Sequence, residues 1–251
     1  MEKKVTYNFK SNLIAGGQDA KTVKGNNSGY FTAIMYLKPY KTLGVNLCPM
    51  AETAKCIDGC LNTAGRGQMS NVQKGRQRKT EWFIKDQAGF MRQLFQDLTK
   101  FVNYCDKRDI LPAVRLNGTS DIRWENIKIA HQNIFEWFPM IQFYDYSKIA
   151  NRRNIPENYH LTFSYSEANP IYQRQTKIAL DKGMNIAVVF RNKENMPKTF
   201  LGLPVIDGDK TDLRFLDPSQ CIVGLYAKGK AKKDQTGFVI DNPVNYAIAA
   251  E

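Results

Sequence analysis

Three cysteines fall close together as Cys48-x7-Cys56-x3-Cys60. Thiolates are soft ligands that select zinc, copper(I) or iron–sulfur clusters. Three in one loop can take three corners of a cubane and leave one iron open, or three positions of a zinc tetrahedron. A zinc site needs a fourth ligand, and the two histidines are His131 and His160. The plain alternative is three buried thiols at a loop junction, because free cysteine packs as a small hydrophobe. On the pattern alone, a [4Fe–4S] cluster on Cys48, Cys56 and Cys60 is the leading expectation, with zinc and the buried-thiol reading beside it. Cys105 continues an apolar helical stripe and reads as core. Cys221 opens a strand, and could supply a fourth ligand or simply pack.

A second constellation is Arg115-Leu-Asn-Gly-Thr-Ser-Asp121. Asn117 and Ser120 can donate hydrogen bonds, and Asp121 can accept a proton or orient a water, which makes the three candidate catalytic residues. The same residues also suit a turn in which Gly118 bends and Ser120 or Asp121 caps the next helix. Arg66, Arg76 and Arg115 are candidate contacts for an anionic substrate. Arg66 and Arg76 belong to a basic run, Gly65-Arg-Gly67 with Lys74, Arg76, Arg78 and Lys79, that also fits a solvated helix face. It lacks the phosphate-loop pattern Gly-x4-Gly-Lys-Ser/Thr. Lys228, Lys230, Lys232 and Lys233 make a second basic tract that could meet phosphates. Asp207, Asp209 and Asp212 read as turn residues, since the run lacks a calcium-loop pattern.

The elements that must position these groups follow from periodicity. Met91, Leu94, Phe95, Leu98, Phe101, Val102 and Cys105 recur at helical spacing. Pro170 to Lys182 reads as another helix. Strands are expected at 43–47, 111–116, 140–144, 160–165, 185–190, 201–206, 213–216 and 221–226. Strands alternating with helices imply a largely parallel sheet, here an α/β fold with a complete or partial (β/α) barrel, the cysteine loop following the first strand. An open doubly wound sheet is the main alternative. One domain is expected over 1–251, with a barrel-like core at about 30–227 and both ends decorating it. In such sheets function collects beyond the C-terminal strand ends. That rim would hold Cys48, 117–121, Asp145, Ser147, Ser166, Glu167, Arg191, Asn192, Asp207 and Asp209.

The 251 residues carry 36 Lys+Arg against 24 Asp+Glu, a net charge of +12 that favours anionic partners, nucleic acid among them. No apolar run reaches membrane-spanning length, and the charged N-terminus does not read as a signal peptide. A cytoplasmic chain with reduced thiols is expected, which favours metal over disulfide.

The stretches Asn46-Leu-Cys-Pro49, Cys56-x3-Cys-Leu-Asn-Thr-Ala-Gly-Arg-Gly67, Asn71-Val-Gln73, Arg76-x-Arg-Lys-Thr80 and Arg115-Leu-Asn-Gly-Thr-Ser-Asp121 resemble a phage-encoded family of unknown function. That family is distantly similar to radical S-adenosylmethionine barrels, and the resemblance spans roughly residues 30–240. It implies a viral protein in the host cytoplasm, a partial barrel and an iron–sulfur cluster on the loop after the first strand. Radical enzymes use Cys-x3-Cys-x2-Cys with an aromatic residue before the last cysteine, whereas Gly59 precedes Cys60 here. The expected activity is therefore Lewis-acid chemistry at an open iron, of hydrolase or lyase type. The alternatives are a radical enzyme with S-adenosylmethionine as second cofactor, and a nucleic-acid-binding protein with a structural cluster or zinc.

Overall fold

The computed structural model describes residues 7–17, 28–194 and 196–241. Its main sheet contains β1 (Phe9–Lys10), β2 (Ile14–Gly16), β3 (Tyr30–Met35), β4 (Leu111–Arg115), β5 (Gln142–Ser147), β6 (Tyr159–Ser164), β7 (Ile186–Phe190), β8 (Thr199–Phe200), β9 (Leu203–Asp207), β10 (Ile222–Tyr226) and β11 (Val239–Ile240). The spatial order is β1-β2-β3-β4-β5-β6-β7-β10-β9-β8, with β11 pairing β7. From β3 through β7, β10 and β9 every pairing is parallel. The outer pairings β1–β2, β2–β3 and β8–β9 are antiparallel.

Strands β3 to β7 neighbour one another in chain order. Right-handed crossovers advancing in one direction all fall on the same side of a sheet. That side carries α1 (Ser70–Lys85) and α2 (Gln87–Asp106) between β3 and β4, and α4 (Pro170–Asp181) between β6 and β7, with a single turn of helix, α3 (Ile134–Trp137), between β4 and β5. Helix α2 starts where the Asp86 carboxylate accepts the Gly89 N–H, and α4 where Asn169 caps Ile171 with Pro170 at the first helical position. Strand alternation divides the core in two. Phe31, Ala33, Met35, Val114 and Phe143 meet Phe83, Phe90, Leu94, Leu98 and Phe101 of the helices. Ala113 and Tyr144 face the other way and meet Leu213 and Phe215.

Several expectations change. The sheet does not close into a complete barrel among the described residues, because short antiparallel strands, β1–β2 and β8, finish its two ends. The first parallel strand is Tyr30–Met35; the stretch expected as the first strand instead forms a small hairpin, Lys41–Thr42 with Val45–Asn46. Residues 213–216 form a 3₁₀ turn, Arg214–Leu216, because Asp212 and Arg214 are drawn into ion pairs. The ends do more than decorate, since 9–16 and 239–240 add strands to the sheet; 1–6, 18–27 and 242–251 lie outside the described residues. The basic run became α1, and Arg76, placed on a solvated face by the blander reading, is buried.

Candidate functional site

The cysteine loop leaves the 41–46 hairpin and winds through successive turns. The Ala51 N–H bonds the Cys48 carbonyl at 3.0 Å, and the Cys56 N–H returns to the Ala51 carbonyl at 3.2 Å. Cys60 then opens the 3₁₀ turn Leu61–Thr63, its sulfur accepting the Asn62 N–H. All three thiols are partly buried. The Cys48 thiol donates to the Thr119 carbonyl at 3.7 Å, which ties the loop to the end of β4. Burial pushes the Cys48 thiol up, and Asp121, Cys60 and Cys56 act in the same direction. Burial also raises Cys60, with Cys56 adding to it and Arg76 and Lys148 opposing.

The cation among these thiols is Lys148, the residue after β5. Its ammonium lies 3.0 Å from Ser164 Oγ at the end of β6, and 4.9 Å and 5.5 Å from the ring centroids of Phe238 and Tyr172. Burial lowers its pKa, against the opposing pull of Cys56, Asp121, Cys60 and Cys48. Its backbone N–H donates to Asp121 Oδ2 at 2.8 Å. The ends of β4, β5 and β6 and the cysteine loop thus converge beyond the C-terminal edge of the sheet, the side expected for function. Lys148 carries no motif, and only its position directly after Ser147 on that rim could have drawn attention to it.

The Asn117–Asp121 segment is knotted into the same region. Asn117 Oδ1 accepts from Ser120 Oγ at 2.8 Å, Ile122 N at 2.9 Å and Trp124 Nε1 at 3.1 Å. Its Nδ2 donates to the Ile122 carbonyl, and its backbone N–H to Asp145 Oδ1 at 3.0 Å. Thr119 Oγ1 donates to the Leu37 carbonyl, and the Asp121 N–H to the Leu47 carbonyl. A Cβ on Gly118 would stand 2.6 Å from the Met35 carbonyl oxygen, so only glycine lets the segment lie this close to β3. Asp121 accepts from Ser147 Oγ at 2.9 Å and faces Arg152, and burial raises its pKa. Neither Ser120 nor Asp121 caps a helix; Asp121 is spent on β5 instead.

The three candidate arginines separate. Arg76 lies beside Cys60, with its guanidinium 4.7 Å over the Tyr36 ring and a hydrogen bond to Asn62 Oδ1. Arg66 is on the surface at the 3₁₀ turn Gly65–Gln68. Arg115 points to the sheet face opposite the helices, where Nη1 lies 2.7 Å from Asp212 Oδ2. Cys105 is core on α2, as its stripe implied. Cys221 packs with Ala187 and Val223 just before β10, at the opposite edge from the thiols, so it is no fourth ligand. His131 is exposed in the 128–133 hairpin, and His160 sits on β6 beside Thr162. No histidine therefore completes a zinc tetrahedron. Among the described residues no three His, Cys, Asp or Glu side chains form a set that would hold a metal ion. Lys230, Lys232 and Lys233 are exposed on the turn Gly229–Lys233, which packs against Leu61–Thr63 just after Cys60. A cavity of about 540 Å³ adjoins the start of the cysteine loop, lined by Asn46, Leu47, Pro49, Met50 and Asp121.

The profile of one family, Gene product 88, matches residues 10–242, which takes in the cysteine loop, the Asn117 knot and every strand of the parallel sheet. The chain belongs to the Gene product 88 family. Gene product 88 is a phage-type family of unknown function, so membership fixes kinship and carries no activity with it. No curated protein and no solved structure matches the chain. Among the described residues of this family member, no helix is long and apolar enough to cross a membrane.

Proposed function

We propose that this phage-type protein is an iron–sulfur metalloenzyme. In this reading Cys48, Cys56 and Cys60 hold a [4Fe–4S] cluster with one open iron. The observation that carries it is the gathering of three thiols around the half-buried Lys148 beyond the ends of β4, β5 and β6. The donors suit a polynuclear group. Each cysteine of a cubane binds a different iron, so the thiols need not meet at a point, and among the described residues they do not meet at one. A half-buried ammonium beside them offsets the negative charge of three thiolates. When bound, the cluster would supply a Lewis-acidic iron able to polarise a carbonyl or bind a water.

The protein's own groups then divide the remaining tasks. Lys148 orients anionic groups toward the thiols, and Arg76 holds the Cys60 side of the loop. Asn117 and Ser120, whose polar atoms are spent on one another, serve as positioning residues. Asp121, between Ser147 and Lys148, sets the distance between the loop and β5. The exposed lysines 230, 232 and 233 give an anionic substrate or nucleic acid a positive approach. The radical reading, with S-adenosylmethionine as second cofactor, draws its support from the chain-order progression of β3 to β7, which suits a partial barrel, and from the cysteine loop following the first parallel strand.

Protein purified without oxygen tests the proposal. About four iron and four sulfide per chain are expected, lost on replacing Cys48, Cys56 or Cys60 with Ala. One zinc without sulfide would end it. Reductive cleavage of S-adenosylmethionine would select the radical reading, and cluster-dependent ester hydrolysis without reductant the Lewis-acid one.

A further inference from the structure

The sheet face opposite the helices holds buried charge that the cysteine site does not use. Arg115, 2% exposed at the end of β4, lies between the rings of Tyr144 and Tyr146, 5.7 Å and 5.0 Å from their centroids. Its partner Asp212 belongs to the segment 210–217, which folds over this face. That segment closes its backbone on itself: the Arg214 N–H bonds the Asp212 carbonyl, Leu216 bonds Leu213, and Asp217 bonds Arg214. Leu213 and Phe215 rest on the sheet, with the Phe215 ring 4.9 Å from Tyr30 and 5.2 Å from Tyr144.

The fit of this segment is incomplete. Arg115 Nε and Arg214 Nε are buried without a hydrogen-bond partner, while Arg214 Nη1 and Asp217 Oδ2 meet each other as an ion pair at 3.1 Å. Asp145 Oδ1 is 3.9 Å from Arg115 Nε. Buried donors are nearly always paired in folded proteins, and each unmet one weakens the packing that buries it. The closed segment is thus held by apolar contacts and the Arg115–Asp212 pair, against a polar cost that opening would relieve.

We propose that Arg115 anchors an anion-binding site on this face, that the Asp212 carboxylate fills it in this structure, and that a carboxylate- or phosphate-bearing ligand takes its place by lifting residues 210–217. The carboxylate now on Arg115 shows the chemistry the site accepts, and guanidinium groups suit carboxylate and phosphate alike. The position, at the C-terminal end of a parallel strand, is where such sheets bind their ligands. The inference is independent of what the cysteines hold.

Calorimetric titration of the full chain with inorganic phosphate, with succinate and with chloride tests it. Asp212→Asn should bind phosphate or succinate about tenfold or more tightly than wild type, because a neutral side chain competes poorly for a buried guanidinium. Adding Arg115→Gln should abolish the gain. A gain for phosphate alone assigns a phosphate ester, and for succinate alone a carboxylate. Equal affinities in wild type and Asp212→Asn, or the same gain with chloride, would overturn the proposal. If the variant does not fold, hydrogen exchange of the wild type decides. Exchange over 210–217 should quicken severalfold with saturating phosphate or succinate, and unchanged or slowed exchange with both would refute the lifted segment. Iron content enters neither readout, so failure of the cluster reading leaves the result intact.

Discussion

Replacing Asn117 with Ala separates a positioning residue from a substrate contact. The side chain is 3% exposed, and its Oδ1 accepts three hydrogen bonds. The Ser120 hydroxyl can rotate to another acceptor, but the Ile122 N–H and the indole N–H of the fully buried Trp124 cannot. The Ile122 carbonyl loses its Nδ2 donor but keeps the Arg152 Nη2 at 3.3 Å. Two fixed donors left unmet, at about 1–3 kcal/mol each with partial relief from entering water, give a loss of about 2–4 kcal/mol. That is a large share of the roughly 5–15 kcal/mol that holds a domain together. Ser120→Ala removes one hydrogen bond and leaves Oδ1 two donors, so about 0.5–1.5 kcal/mol is expected there. Urea unfolding followed by circular dichroism measures both. A surface contact would change stability by only about 0.5 kcal/mol. A loss below about 1 kcal/mol in Asn117→Ala would therefore refute the positioning role and return the residue to the substrate.

Glycines 118 and 75 make a paired test of packing. Gly118→Ala meets the Met35 carbonyl oxygen and should cost about 1–3 kcal/mol, whereas Gly75→Ala in α1, with open space around it, should stabilise by about 0.5–1 kcal/mol; thermal unfolding reads both. Replacing Cys221 or Cys105 with Ala should leave iron and sulfide unchanged, and an equal loss of metal in either variant would show the ligand set to be wrong. The Asp145 carboxyl is raised to about 7 by burial, with Arg115 opposing. An unfolded aspartate ionises near about 3.9, so the native state holds this proton more tightly. The stability it contributes is complete below about pH 4 and is lost as pH rises toward 7. Asp145→Asn should flatten this part of the stability curve by roughly 3–4 kcal/mol, and an unaltered slope in urea titrations at successive pH values would count against it.

Much of the framework was legible without coordinates, because period and punctuation are local. The stripe through Leu94, Leu98 and Phe101 specified α2, and Pro170 marked where α4 begins. The apolar runs of β4, β6, β7 and β10 stood within a residue or two of their final bounds. Their alternation with helices implied a parallel sheet, and hence the rim on which the thiols lie. Helix α1 was harder to read, since Arg76, Thr80 and Phe83 are the residues it buries and they form no apolar stripe. Lys148 gave no signal of its own. Its place among the thiols exists because β5 and β6 pair in the register that sets Ser164 beside it. The same holds for Arg115, which the sequence offered as a contact for an anionic substrate but which is buried once Asp212, 97 residues away, folds over it. Whether a charged side chain meets solvent, a ligand or a distant carboxylate depends on which segments cover it, and only the tertiary structure brings those segments together.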